Sequence, residues 1–132
     1  MPSSLRELLR ELTAAARRHD ASVEELQRVI DTLSVAALAA DTHGRYVAVN
    51  NAAAALTGYA ASELTRLSVW QLTPNANEHE AEVLWRAYLS RGEQHGEYQL
   101  VTKDKRVIVA EYAARTDVMP GLHLSLLRAP LR

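Results

Sequence analysis

DTHGRYVAVNNAAAALTGY, residues Asp41 to Tyr59, reads as a strand end, a tight turn, a second strand and a short helix. Asp41 and Gly44 bracket the turn, because an aspartate side chain accepts backbone amides and glycine takes the positive φ that turns demand. Upstream lies VAALAA (Val35 to Ala40) and downstream RYVAVN (Arg45 to Asn50). Both are short, apolar and bounded by turn residues, so they pair as a hairpin. Asn50 or Asn51 supplies an N-cap for AAAAL, since an asparagine oxygen accepts the free amides of a first helical turn. Gly58 stands where that helix stops.

Working outward, Ser62 can cap the single turn ASEL (Ala61 to Leu64), and Leu64, Leu67, Val69, Trp70 and Leu72 form an irregular apolar run before Pro74. Residues Asn77 to Ser90, NEHEAEVLWRAYLS, make the strongest helix of this region. Asn75 or Asn77 caps it, Glu78, Glu80 and Glu82 suit its positive end, and Arg91-Gly92 close it. Its inner stripe is Ala81, Leu84, Trp85 and Tyr88. HGEYQLVT (His95 to Thr102) and RVIVAEYAAR (Arg106 to Arg115) alternate with period two around the polar turn Lys103-Asp104-Lys105. After Met119-Pro120-Gly121, Leu122, Leu124 and Leu126 point one way along a last strand, His123 and Ser125 the other.

The N-terminal segment places Leu5, Leu9, Leu12, Ala16, His19, Val23, Leu26, Ile30 and Leu33 on one seam in steps of four and three. Ser3 or Ser4 can start a helix there. The unbroken seam favours one continuous helix that pairs with an identical partner, so these residues are the candidate dimer interface. The rival reading breaks the helix at His19-Asp20-Ala21-Ser22, where Ser22 and Glu25 form a capping box. A further alternative is an amphipathic helix folded back over its own sheet, and Leu8 beside the seam widens the apolar face that such a fold needs.

The motif D-x-x-G-R-Y-V-x-V-N, followed by A-A-x-x-L-T-G-Y and then ASEL, resembles the opening of a PAS domain, a sensor and interaction fold of signalling proteins. The resemblance covers residues 35 to 128, leaving 1–34 as an N-terminal amphipathic helix for dimerisation or capping and 129–132 as a tail. It implies an α+β fold with a five-stranded antiparallel sheet and short helices over one face, often around a pocket. Two departures stand out. Relatives usually carry glycine where Lys105 stands, and often a glycine near Thr65-Arg66.

Composition fits this size of object: 132 residues, 48% apolar and 23% charged, with a net charge of −1 that attracts no nucleic acid. No apolar run approaches the ~20 residues of a membrane span, and no signal-peptide core is present, so a cytoplasmic location is expected. The chain has no cysteine, which excludes disulfides, thiolate metal sites and the cysteine photochemistry that the resemblance associates with flavin sensors. The five histidines, His19, His43, His79, His95 and His123, show no metal-ligand spacing, and the five glycines form no phosphate loop. The chain is therefore expected not to be an enzyme.

The expected function is regulatory: sensing a small apolar or amphipathic ligand, forming a homodimer, or both, and coupling to a kinase or transcriptional output partner. The resemblance points to a pocket beside the long helix, and Trp70, Trp85, Tyr88, Tyr98 and Tyr112 are the candidate residues to shape it. Their cofactor, if any, is unspecified. The alternatives are a ligand-free interaction module, whose core residues fill the pocket, and a haem sensor, for which His79 on the long helix is the candidate ligand.

Overall fold

The computed structural model describes residues 4–19, 22–74 and 78–130, apart from the side chains of Arg18, His19, Glu78, Ala81, Ala129 and Pro130. The elements are α1 (Leu5–His19), α2 (Val23–Ile30), β1 (Ala36–Asp41), β2 (Tyr46–Val49), α3 (Asn51–Thr57) and α4 (Ala61–Leu64). A 3-10 turn (Val69–Leu72), α5 (Glu78–Arg91), β3 (Glu93–Val101), β4 (Val107–Met119) and β5 (Leu122–Pro130) follow. The strands form one antiparallel sheet in the order β2-β1-β5-β4-β3.

Local chemistry accounts for most element ends. Asp41 Oδ1 accepts the amides of His43 (2.9 Å) and Arg45 (3.0 Å), and Gly44 takes φ +83° to close the β1–β2 turn. Asn50 caps α3 by accepting the Ala53 amide at 3.0 Å, and Gly58 stops it at φ +81°. At α4 the cap position falls on Ala60 rather than Ser62, and the Glu63 carboxylate accepts the Ala60 amide at 2.8 Å. Ser62 lies inside the turn. Thr65 adopts an ordinary right-handed conformation, so the missing glycine there costs nothing. Lys105 instead keeps the left-handed conformation, φ +70°, that glycine would supply more cheaply. Caps from Ser3, Asn75 or Asn77 lie outside the described residues, whereas Ser4 Oγ accepts the Glu7 amide at 3.1 Å.

The N-terminal helix is broken, not continuous. Ser22 has extended backbone angles and its Oγ accepts the Glu25 amide at 3.1 Å, which starts α2 afresh. A continuous helix over residues 5–33 would run about 43 Å, whereas five strands put the outer strand axes only about 20 Å apart. Two shorter helices can both lie on the sheet. Leu5, Leu9, Leu26 and Ile30 pack there against Ala37, Ala39, Ala48, Ala113, Leu124 and Leu126. Ala16 is buried too, and Leu8, Leu12 and Leu33 are partly buried, while Val23 remains 37% exposed. Most of the seam is thus occupied within the chain, on the side of the sheet opposite α3–α5. His19 belongs to the side chains not described. We expect Ser22→Ala to lose about 1 kcal/mol of stability through the cap, read as a fall in the urea midpoint with an unchanged slope.

The second core cluster fills the other face with Leu38, Val49, Leu64, Leu72, Leu100 and Leu127. One irregularity decides what faces this cluster. Ala39 pairs with Ala48 but Ala40 pairs with Tyr46, so Val47 is an extra residue in β2. This bulge breaks the period-two alternation. Ala48 therefore packs beneath α1 and α2, while Tyr46 turns to the opposite face.

Candidate functional site

Between α5, the 3-10 turn and the sheet lies a cavity of about 300 Å³. The turn contributes Val69 and Trp70, α5 contributes Leu84, Trp85, Tyr88 and Arg91, and β3 contributes Gln94 and Tyr98. Tyr46, Tyr112, Ala114, Ser125 and Leu127 line its sheet side. The five aromatic residues singled out from the sequence all reach this one cavity. Tyr46, Arg91, Gln94 and Ser125 were not among them. Tyr46 depends on the bulge, and Arg91 read only as a helix-ending cation. Of the expected inner stripe of α5, Trp85 and Tyr88 are half-buried, but Leu84 at 64% exposure stands at the rim. The Ala81 side chain is not described.

The wall is rich in rings. Trp85 and Tyr88 lie 5.1 Å apart in a tilted arrangement, and Tyr98 meets Tyr112 edge-on at 5.8 Å. Tyr98 shares a 2.7 Å hydrogen bond with Thr73 Oγ1, which fixes it to the residue after the 3-10 turn. Tyr88 Oη, by contrast, is buried with no hydrogen-bond partner among the described residues. Burial raises the Tyr46, Tyr88 and Tyr98 phenols above their ordinary values. They remain protonated, and so remain donors, across the neutral range.

Trp85 also ties the helix to the hairpin, its Nε1–H donating to Thr42 O at 2.8 Å. Its ring meets His123 nearly edge-on at 5.8 Å. His123 Nδ1 accepts the Asp117 amide at 3.0 Å, which leaves the ring proton on Nε2, facing Thr42 Oγ1 at 3.2 Å. Charging this ring would convert an acceptor into a donor aimed at an N–H group. Burial accordingly lowers the His123 pKa, against the opposing pull of Asp117 and Asp41. The unfolded chain then binds this proton more readily than the folded chain as pH falls through the ordinary value of 6.5. Stability should fall from pH 7.5 towards the lower folded pKa. Chemical denaturation across that window should show a shallower loss in His123→Gln than in the parent.

Among the described residues no histidine lines the cavity, His123 lying behind Trp85. His79, the candidate haem ligand, is exposed in the first turn of α5, and His95 is exposed on β3. His43 lines a separate, open polar hollow with Arg45, Tyr59 and Lys105, beyond Trp70. His123 is engaged at both nitrogens, by the Asp117 amide and Thr42 Oγ1, and the described wall offers haem no axial histidine. Among the described residues no group of three His, Cys, Asp or Glu is placed to hold a metal, and no helix is long and apolar enough to cross a membrane.

A family model described as the PAS fold matches residues 24–117. No curated protein matches the chain. Among solved structures, a domain of a sensory box sensor histidine kinase/response regulator from Geobacter sulfurreducens is similar at 18% identity. The alignment covers 87% of this chain and 92% of that one, with a TM-score of 0.67. The PAS domain of an HTR-like protein from Haloarcula marismortui is similar at 16% identity, covering 87% and 97%, with a TM-score of 0.65. A LOV protein from Rhodobacter sphaeroides is also similar, at 16% identity over 76% and 62% of the two chains, with a TM-score of 0.62.

Proposed function

The chain belongs to the PAS family, and from that premise we propose that it is a regulatory module that senses a small molecule in the aromatic cavity and passes its occupancy to an output partner. The observation that carries this reading is the Tyr88 hydroxyl, buried without a partner among the described residues in the wall of a cavity lined mainly by aromatic and apolar side chains. A desolvated donor with no acceptor costs about 1–3 kcal/mol, and a ligand acceptor would offset it. The cavity volume lies at the small end of ligand pockets.

The route outward runs through the α5–β3 junction. Arg91 and Gln94 line the cavity, and between them Glu93 points to the N-terminal layer. Its carboxylate meets Arg10 at 3.6 Å and Arg6 at 4.0 Å on α1, and Arg115 at 3.2 Å on β4. A ligand that shifts this junction changes the seating of α1. A sensor kinase or a transcriptional regulator is the kind of output that such a movement would serve.

Native mass spectrometry tests the reading directly. A protein peak carrying a defined extra mass, lost in Trp70→Ala, supports sensing. A bare peak that stays bare after incubation with cell extract counts against it. Tyr88→Phe should keep or slightly raise the stability of the empty protein, because it removes the unpartnered hydroxyl, while lowering retention of the bound mass. Thermal melts and mass spectra of the same samples separate the two effects.

A second reading, a constitutive interaction or homodimerisation module, is favoured by Val83 and Leu84, which are 55% and 64% exposed on α5. Val23 and Val29 on α2 add apolar surface at 37% and 43% exposure. A ligand-free dimer in the same spectrum would support it.

A further inference from the structure

We propose that the cavity is selective for a small planar aromatic carboxylate, with the ring held among the aromatic side chains and the carboxylate at Arg91 and Gln94. This rests on the cavity being a ligand site. Among the described residues that line it, Arg91 is the one charged side chain, and none is Asp or Glu.

The charge around Arg91 makes it available. The carboxylate nearest in sequence, Glu93, is hydrogen-bonded to Arg115 and stands within ion-pair distance of Arg10 and Arg6. Arg91 itself makes no ion pair among the described residues, and it ends α5, where Gly92 at φ +83° turns the chain into β3. A guanidinium presents a planar fork of donors that a carboxylate matches with two parallel bonds, and Gln94 brings a further amide donor to the same wall. The rest of the wall selects for the ligand body. Trp70, Trp85 and Tyr112 offer ring faces and edges suited to a flat apolar partner. Protonated phenols at Tyr46 and Tyr88 donate to an anion and do not repel it, as phenolates would. A cation meets the opposite situation, since no carboxylate among the described wall residues could pair with it. A volume of about 300 Å³ suits one or two fused rings rather than a long acyl chain.

The test compares 2-naphthoate with its neutral isostere 2-naphthamide, titrated into the full chain by calorimetry. The fluorescence of Trp70 and Trp85, the only two tryptophans, reports whether binding is at the cavity. The expected result is that 2-naphthoate binds about tenfold or more tightly than the amide, and that Arg91→Gln abolishes this preference. Arg91 is exposed, so the substitution leaves the core intact. Equal binding of acid and amide, or a preference that survives Arg91→Gln, overturns the proposed selectivity while the cavity remains a ligand site. Binding of neither probe, with no change in tryptophan emission, overturns both.

Discussion

Asn50→Ala is expected to destabilise the fold by about 3–5 kcal/mol, because it strips partners from several buried backbone groups at once. Asn50 is 2% exposed. Its Oδ1 accepts the Ala37 and Ala53 amides, each at 3.0 Å, and its Nδ2 donates to Ile30 O at 2.8 Å and Val35 O at 2.9 Å. Both amides face the oxygen and both carbonyls face the nitrogen, so the network itself assigns the orientation of the amide group. One side chain therefore joins the end of α2, the entry to β1 and the start of α3. The N-cap alone is worth about 1 kcal/mol. The remainder comes from leaving the Ala37 amide and two carbonyls without replacement partners. Asn50→Asp separates these contributions, since it keeps the cap acceptor but turns an oxygen towards two carbonyl oxygens. Its loss should be at least as large as that of the alanine variant. Urea melts followed by circular dichroism measure both, and a loss under 1 kcal/mol for Asn50→Ala would mean that the network carries little of the stability.

That same residue shows which parts of the fold were legible in the sequence. Asn50 and Gly58 signalled α3 through local chemistry, and Asp41 with Gly44 signalled the hairpin turn. The long-range half of the Asn50 network was not visible, because nothing local links it to Ile30. The N-terminal seam illustrates a different limit. Spacing at Leu5, Leu9, Leu26 and Ile30 identifies an apolar face, yet it says nothing of whether the face meets another chain or the small alanines Ala37, Ala39 and Ala113 of its own sheet. The cap at Ser22 was the better guide. Tyr46 escaped notice for a third reason: strict alternation puts it with Ala48, and a bulge has no reliable single-sequence signature. Trp85 and Tyr88 were legible from helical spacing, and Tyr98 and Tyr112 as large residues on paired strands. Their convergence on one cavity needed the three-dimensional fold.

Gly44→Ala should cost about 2–4 kcal/mol, and most of the interest lies in how that loss divides. At φ +83° any Cβ meets the intrinsic penalty of the left-handed region, about 1–2 kcal/mol. The rest is contact. A Cβ built at position 44 lies 2.6 Å from Cζ3 and 3.2 Å from Cη2 of Trp70, and 3.3 Å from Val69 Cγ2. The 3-10 turn cannot easily withdraw, because the Val69 amide donates to Gly44 O at 2.8 Å and the Tyr46 amide to Leu67 O at 3.2 Å. The Trp70 ring must therefore move, and it forms part of the cavity wall. A double-mutant cycle with Trp70→Ala distinguishes the components. In the Trp70→Ala background, Gly44→Ala should lose the backbone portion and the smaller Val69 contact, so the two substitutions should couple by about 1–2 kcal/mol. In the parent background, displacing the ring should also shift tryptophan emission and weaken aromatic probes in the cavity. Strictly additive losses, with unchanged emission, would show that the turn adjusts through its backbone and that Gly44 is required only for its conformation. Coupling of the expected size would instead make the hairpin turn a determinant of cavity shape, through a glycine whose lack of a side chain gives the tryptophan its place.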